Sequence, residues 1–303
     1  MSDPVRQQAG RHFRAPRTRR LPLPVLWGAL AVAIIALVAV ALVRPQSLPP
    51  LLEAPLPAAV PSTPVAAAPE SLDDDIAAIL KEAGNYRVGV AMADVTGDGA
   101  RTFGDESTFV AGSTASIITA AAFYHLVEVG EANLDESLGA YDAAFQLKAM
   151  VNDSNNDSWL LLMDAIGYPR LIDYAASIGI VYDPEENLLT PADMALVLKQ
   201  LYAGDLLDRD HTAQLLGYMQ DTNNETLIPA GSRPGITVHH KYGQVDGDLH
   251  DAALLSYRES TFALVIYTEE DAADTDDSNE ADQVDLIHAL TRAIEDALFA
   301  PDA

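Results

Sequence analysis

Cysteine is missing from this sequence, and positive charge is scarce beyond its first 44 residues. The absence of cysteine excludes disulfides, thiol catalysis and cysteine-based metal sites. The 303-residue chain has a formal net charge of −27, from 45 acidic and 18 basic side chains. Seven basic residues, all arginine, lie within positions 1–44, which leaves 11 basic and 44 acidic residues for the remainder. A surface this acidic repels nucleic acid, so we expect no nucleic-acid partner.

One segment near the N-terminus contains no charged residue. It runs from Leu21 to Val43 and reads LPLPVLWGALAVAIIALVAVALV. At about 1.5 Å per helical residue, it is long enough to cross a hydrocarbon core of about 30 Å. Six arginines precede it, and positive charge favours the cytoplasmic side of a membrane. We predict a basic cytoplasmic tail at residues 1–20 and a transmembrane signal anchor at 21–44 of a single-pass membrane protein. A buried core helix is the alternative.

The next segment has the composition of a spacer. Residues 45–69, PQSLPPLLEAPLPAAVPSTPVAAAP, are rich in proline and alanine and show no periodic apolar face. Proline fixes φ and removes backbone donors, so such a segment is extended and semi-rigid. We predict that it holds a folded extracytoplasmic domain, residues 70–303, away from the membrane.

The pattern of the remaining chain predicts a mixed α+β domain. A helix is expected at 71–84, and the block from about 111 to 217 has mainly helical periodicity. Alternating apolar segments predict strands at the two ends of the domain, at 86–95, 101–110, 236–245, 250–257 and 261–268. A last helix follows. We expect the two ends to combine into one five-stranded antiparallel sheet flanked by terminal helices, with the central helices forming an all-α lobe.

No metal site or cofactor is predicted. The acidic segment at 269–282 could attract a cation, but it lacks the glycine-bearing spacing of a calcium-binding loop. We interpret it as a solvated loop.

Three hydroxyl residues stand where the central helices begin. The stretch at 109–126 reads FVAGSTASIITAAAFYHL, and Ser113, Thr114 and Ser116 precede its apolar helical part. Such hydroxyls commonly cap a helix by accepting hydrogen bonds from its first backbone N–H groups. A serine at a helix N-terminus can also be a nucleophile, because the helix dipole and free N–H groups stabilise an oxyanion. The stretch alone leaves both interpretations open.

Four segments in order resemble the class A β-lactamases and the penicillin-binding proteins of the serine acyltransferase type, over about residues 72–299. FVAGSTAS resembles the segment with the Ser-x-x-Lys nucleophile, and MVNDSNNDSWLLLMDAIG resembles the Ser-Asp-Asn motif and its helix. TPADMALVLKQL resembles a helix of the all-α lobe, and IPAGSRPGITVHHKYGQVDGDLHDAALLS resembles the Lys-Thr-Gly strand and its hairpin. The resemblance implies a β-lactamase-like fold.

The resemblance also implies roles for particular residues. Ser113 would be the nucleophile, Ser154 would relay a proton to the leaving amine, and Lys241 would hold a substrate carboxylate. The substrate-binding residues would be Asn156, which would bind a substrate amide, and Tyr242, Gly243 and Gln244 on the strand. The backbone N–H groups of Ser113 and Gln244 would form the oxyanion hole.

Several positions depart from the family pattern. Ser116 stands where the family has the lysine of Ser-x-x-Lys, and a serine hydroxyl is no base at neutral pH. Asn155 replaces the aspartate of Ser-Asp-Asn, and Tyr242 replaces a threonine beside the expected carboxylate site, where its ring could obstruct docking. Neither Glu185 nor Glu186 stands in the Glu-x-x-Leu-Asn arrangement that activates the deacylating water. Losing a general base typically costs about 10²–10⁴ in rate.

Two functions therefore stay open. In the first, Ser113 forms an acyl-enzyme with a β-lactam or a peptidoglycan-like amide, in impaired fashion. The retention of Ser113, Ser154, Asn156 and Lys241 favours it. In the second, the domain is an inactive module that binds cell-wall fragments or a protein partner, and the serine at position 116 favours that.

Overall fold

The structure, a computed structural model, describes residues 70–84, 86–270 and 280–299. Two compact units divide the chain between residues 63 and 64, and all described residues belong to the second. The predicted cytoplasmic tail, transmembrane anchor and linker lie outside the described residues and stay predictions. Among the helices that the structure describes, none combines the length and apolarity needed to cross a membrane.

The described chain begins and ends with helices and carries its long strands near those ends. The strands are β1 (Tyr86–Asp94), β2 (Arg101–Gly104), β3 (Phe109–Val110), β4 (Ser137–Leu138), β5 (Tyr141–Asp142), β6 (Leu188–Leu189), β7 (Thr237–Val245), β8 (Asp248–Tyr257) and β9 (Ser260–Glu270). The helices are α1 (Glu70–Glu82), α2 (Ser116–Glu128), α3 (Ala143–Asn152), α4 (Asn156–Ile166), α5 (Tyr168–Ser177), α6 (Pro191–Ala203), α7 (Arg209–Tyr218), α8 (Ile228–Gly231) and α9 (Glu280–Leu298). A 3₁₀ turn at Gly112–Ala115 leads into α2.

The main sheet joins the two ends of the domain. Its strand order is β2-β1-β9-β8-β7, and each neighbouring pair is antiparallel. Strand β1 pairs along its whole length with β9, from Tyr86 opposite Glu270 to Asp94 opposite Phe262. The predicted five-stranded antiparallel sheet is thereby confirmed.

One predicted strand is divided in two. The sequence predicts a strand over 101–110, but β2 ends at Gly104 and β3 begins at Phe109. Gly104 has a φ of +74°, and a side chain there would collide with the Val88 carbonyl oxygen. The chain therefore leaves the sheet edge at this glycine. It returns as β3, which pairs with β6 instead.

The two faces of the sheet pack against different helices. Because strand side chains alternate, Val90 and Met92 join the core cluster that also contains residues of α1 and α9. Ala91 and Ala93 join the second cluster, which contains the helical lobe. In that lobe, every residue of α2 from Ser116 to Tyr124 is buried. A helix buried all round is the centre of its lobe, so the N-terminus of α2 lies in the interior, where the lobe meets the sheet.

Candidate active site

Ser113 lies in the 3₁₀ turn that precedes α2 and is half-buried. The turn is braced from outside by the loop before β6. The Ala111 N–H donates to the Asn187 carbonyl oxygen at 2.8 Å, and Asn187 Nδ2 donates to the Gly112 carbonyl oxygen at 3.0 Å. Tyr182 Oη in turn donates to Asn187 Oδ1 at 2.9 Å. These hydrogen bonds fix the backbone of the turn that contains Ser113.

The hydroxyl residues of the stretch do not cap a helix. The N-cap positions of the 3₁₀ turn and of α2 are Ala111 and Ala115, and neither has a side-chain capping bond. Thr114 is buried, and its Oγ1 donates to the Ala111 carbonyl oxygen at 2.7 Å and lies 2.8 Å from Tyr267 Oη. Thr114 thus ties the turn to the sheet. The capping interpretation of Ser113 and Ser116 is wrong at both helix starts.

Strand β7 approaches the turn so closely that glycine is required. A Cβ on Gly243 would lie 2.9 Å from the Ala111 carbonyl oxygen and 3.2 Å from the Ser113 nitrogen. Opposite it, Gly112 has a φ of +54°, and a Cβ there would lie 3.4 Å from the Gln244 nitrogen. The backbone N–H groups of Ser113 and Gln244 therefore lie on two segments in direct contact.

A cavity of about 180 Å³ opens beside this contact. It is lined by Gly112, Ser113, Ser116, Asn156, Trp159, Asn187, Gln244 and Val245. Four of the residues predicted from the sequence, Ser113, Ser116, Asn156 and Gln244, thus border one space. No acidic or basic side chain is among these lining residues. A larger cavity of about 270 Å³ between α2 and α5 holds none of the predicted residues.

Ser154 lies in the short connection between α3 and α4. Its φ of +53° is in the left-handed region, which is unfavourable for a residue with a Cβ and is often found at functional positions. The following residue, Asn155, caps α4 by accepting the Ser158 N–H at 2.8 Å. The cap holds the connection in place, so the side chain of Ser154 has a fixed direction.

Lys241 is fully buried, and its amine meets Ser154. Lys241 Nζ donates to Ser154 Oγ at 2.9 Å and to the Tyr242 carbonyl oxygen at 2.8 Å. Burial lowers the pKa of Lys241 to about 7, although the Asp251 carboxylate acts in the opposite direction. An amine with this pKa is partly neutral at physiological pH. It can therefore accept a proton as well as donate one.

The ring of Tyr242 lies beside the amine and not in the cavity. Lys241 Nζ is 4.1 Å from the centroid of the Tyr242 ring. Tyr242 is half-buried and packs against the core cluster of α1 and α9. It is absent from the residues lining the 180 Å³ cavity. A ring in this position flanks the ammonium group, which agrees with a cation–π contact.

A buried acid–base network behind β7 was missed by the sequence analysis. His240 Nδ1 is 2.9 Å from Asp251 Oδ1, and His240 Nε2 is 3.2 Å from Glu225 Oε1. Burial alone would lower the pKa of His240, but the two carboxylates outweigh it, so this pKa is raised. Asp251 also accepts the Ile228 N–H at 3.0 Å. The network fixes β7 from the side opposite Lys241. In the sequence, the feature that could have indicated this network is His240, which directly precedes Lys241.

Glu185 and Glu186 are exposed and do not reach the cavity. Their backbone N–H groups donate to Asp183 Oδ1 at 2.9 and 3.2 Å. The residue that this loop presents to the cavity is Asn187, which the sequence analysis did not single out. An amide in this position can orient water, but it cannot act as a base.

The chain matches a known protein family over a region that contains most of these site residues. A sequence model described as the beta-lactamase enzyme family matches residues 139–298, more than half of the chain. The match contains Ser154, Asn156 and Lys241 and begins after Ser113. Comparison with curated protein sequences gives no significant match.

Solved structures with this fold cover most of the described domain. A mutant of PBP-A, determined as its acyl-enzyme complex with penicillin G, has 21% sequence identity and a TM-score of 0.67, covering 76% of this chain and 97% of that one. A β-lactamase from Xanthomonas campestris has 23% identity and a TM-score of 0.68, covering 75% and 97%. A variant of the last common ancestor of Gram-negative bacteria β-lactamase class A has 25% identity and a TM-score of 0.65, covering 76% and 99%. At these identities the structures establish the fold.

Proposed function

This chain belongs to the β-lactamase enzyme family, and on that premise we propose that Ser113 forms an acyl-enzyme with a β-lactam or a peptidoglycan-like amide. The observation that carries the proposal is the buried Lys241 amine, 2.9 Å from Ser154 Oγ. The cavity that contains Ser113, Asn156 and Gln244 lies against the same strand. Together these groups supply a nucleophile, a proton acceptor and amide donors.

The base is the altered part of the site. Ser116 occupies the position of the family's lysine and is 3% exposed. We propose that Lys241 is the final acceptor of the Ser113 proton and that the Ser154 hydroxyl relays it. In its neutral form the Lys241 amine accepts the Ser154 proton, and Ser154 accepts the proton of Ser113. As the amide C–N bond breaks, the same route returns a proton to the leaving nitrogen.

The developing oxyanion needs preorganised donors. The backbone N–H groups of Ser113 and Gln244 are suitable because β7 and the 3₁₀ turn are in contact at Gly243 and Gly112. Each donor of this type is worth about 10²–10³ in rate. Asn156, which lines the same cavity, would bind the amide of the substrate side chain.

Hydrolysis of the acyl-enzyme is expected to be slower than its formation. No carboxylate lines the cavity, so none of its lining residues is a carboxylate base for the deacylating water. We therefore propose a penicillin-binding activity with weak turnover. The acyl-enzyme that a PBP-A mutant forms with penicillin G supports this comparison.

The proposed location of the domain is outside the cytoplasmic membrane. The uncharged segment from Leu21 to Val43, the arginines before it and the proline-rich residues 45–69 support a single-pass anchor with an external domain. A wall-directed substrate would be accessible there.

A second candidate function is an inactive module that binds cell-wall fragments or a protein partner. The observation that favours it is the lining of the cavity, which contains Ser116 and no basic side chain. A nucleophile without an adjacent base reacts slowly. In this case the retained residues would bind an acyl amide without cleaving it.

Labelling with a fluorescent penicillin distinguishes the two candidates. Membranes that contain the full chain would be incubated with the probe, and covalent label would be followed by gel. We expect slow labelling that Ser113→Ala abolishes and that Ser107→Ala, a change at an exposed serine outside the site, leaves unchanged. Absence of covalent label with the folded wild type would leave the binding module as the function.

A further inference from the structure

Three potential metal ligands meet at the end of the helical lobe. Glu128 is the last residue of α2, Asp208 is the N-cap of α7, and His211 is in the first turn of α7. One donor atom from each lies within 4.8 Å of the others. His211 Nδ1 is 2.8 Å from Glu128 Oε1 and 3.5 Å from Asp208 Oδ2. We refer to these residues as the α2–α7 cluster.

The backbone and an aromatic ring hold the α2–α7 cluster in position. Glu128 Oε1 accepts the Asp208 N–H at 2.9 Å, which leaves Oε2 available. Asp208 Oδ1 accepts the N–H groups of Asp210 and His211, both at 2.9 Å, which leaves Oδ2 available. The Tyr124 ring stacks on the imidazole of His211 with centroids 4.8 Å apart. Such supporting contacts orient ligands before a metal arrives.

The local charge favours a cation. Glu128 ends α2, and the C-terminal end of a helix carries partial negative charge. The positive end of α7 opposes the cation, but Asp208 Oδ1 already occupies the first N–H groups of that helix.

We propose that the α2–α7 cluster binds a divalent transition-metal cation of the zinc type. The ligands would be one nitrogen of His211 and one carboxylate oxygen each from Glu128 and Asp208. An imidazole with two carboxylates suits Zn²⁺ or Co²⁺, whereas Mg²⁺ and Ca²⁺ prefer oxygen ligands alone. Water would complete the coordination.

The bound metal would act on stability and not on acyl transfer. It would connect the C-terminal end of α2 to the N-terminus of α7, while Ser113 precedes the opposite end of α2. A metal that binds only the folded state raises the midpoint of thermal unfolding. The reaction at Ser113 needs no metal, so this site is independent of the proposed function.

The test is a titration of the purified full chain with Co²⁺, followed by visible absorption, and with Zn²⁺, followed by thermal unfolding. Three variants remove ligands with little other change. His211→Phe keeps a ring for Tyr124 to stack on, Asp208→Asn keeps a good N-cap, and Glu128→Gln keeps an acceptor. His125→Phe is the matched control, because His125 is an exposed histidine of the same helix outside the cluster.

We expect about one equivalent of metal per chain, an increase in Tm with Zn²⁺, and at least about a tenfold weaker affinity in each ligand variant. His125→Phe should bind as the wild type does. Binding that survives His211→Phe, or no saturable binding by the wild type, would overturn the proposal. Penicillin labelling at Ser113 should be unchanged in His211→Phe, which separates failure of this site from failure of the proposed function.

Discussion

The side-chain amine of Lys241 donates a hydrogen bond to Ser154 Oγ across 2.9 Å, although 87 positions separate the two residues. The lysine is buried on the edge strand β7. The serine lies in the connection between α3 and α4, where its backbone has a left-handed conformation. The contact therefore links the sheet to the helical lobe. It also brings the amine, whose pKa is lowered to about 7, within hydrogen-bond distance of a hydroxyl that can transfer a proton.

Replacing Lys241 with methionine should separate activity from stability. Methionine preserves the buried stem but removes the charge, so penicillin labelling should fall by about 10²-fold or more. The free energy of unfolding should stay equal or increase by about 1–4 kcal/mol, because a buried charge is no longer desolvated.

The difference in unfolding free energy between Lys241→Met and the wild type should depend on pH. The pKa of Lys241 in the folded state, about 7, is below its usual value of 10.5, so the penalty for burying the charge is complete below pH 7. It declines as pH rises from about 7 to 10.5. The advantage of Lys241→Met over the wild type, measured by urea unfolding, should shrink over this range; a constant difference would contradict the lowered pKa.

Restoring a lysine at Ser116 tests whether the missing base limits the reaction. The position is buried and borders the cavity with Ser113, so an amine there would be desolvated and partly neutral. We expect Ser116→Lys to increase the rate of penicillin labelling by up to about 10²-fold.

Two further variants control that experiment. The gain should vanish in the double variant Ser113→Ala, Ser116→Lys, because the new amine activates only that oxygen. Because the Tyr242 ring lies outside the cavity, Tyr242→Thr should add nothing to the gain. A folded Ser116→Lys protein that labels no faster than the wild type would favour the binding module.

Substituting Gly243 should damage the site through the backbone. An added Cβ would meet the Ala111 carbonyl oxygen at 2.9 Å, so β7 and the 3₁₀ turn would have to separate. Because a shift of about 1 Å in reacting groups can cost about 10²-fold in rate, Gly243→Ala should reduce labelling by about that factor. Gly217→Ala is the matched control, since a Cβ there meets no atom within 4 Å. Equal rates in the two variants would exclude the oxyanion role of this contact.

The membrane topology is testable in intact cells. With residues 1–20 in the cytoplasm and 70–303 outside, protease added externally should cut within 45–69 and release the domain. Western blotting of the medium and the cells would follow it, with a cytoplasmic protein as the control for lysis. A domain that stays protected would refute the predicted orientation.

The sequence predicts most of the fold because apolar periodicity is a local property. The alternation in β7, β8 and β9 identifies strands directly, and the observed bounds differ from the predicted ones by a few residues. The break at Gly104 was not predictable, because it depends on the Val88 carbonyl oxygen of the neighbouring strand. The motif resemblance likewise identified residue types, including Ser113 and Lys241, without their distances.

The sequence by itself determined which side chains are present: a serine before the central helix, a serine at position 116 in place of lysine, and a lysine on the edge strand. Only the tertiary structure decided what those groups can do. The low pKa of Lys241 results from burial, and the α2–α7 cluster joins Glu128 to His211 across 83 positions. Electrostatic and ligand chemistry depend on distances of a few ångströms and on exclusion of water, and both are set by the packing of segments that are remote in the chain.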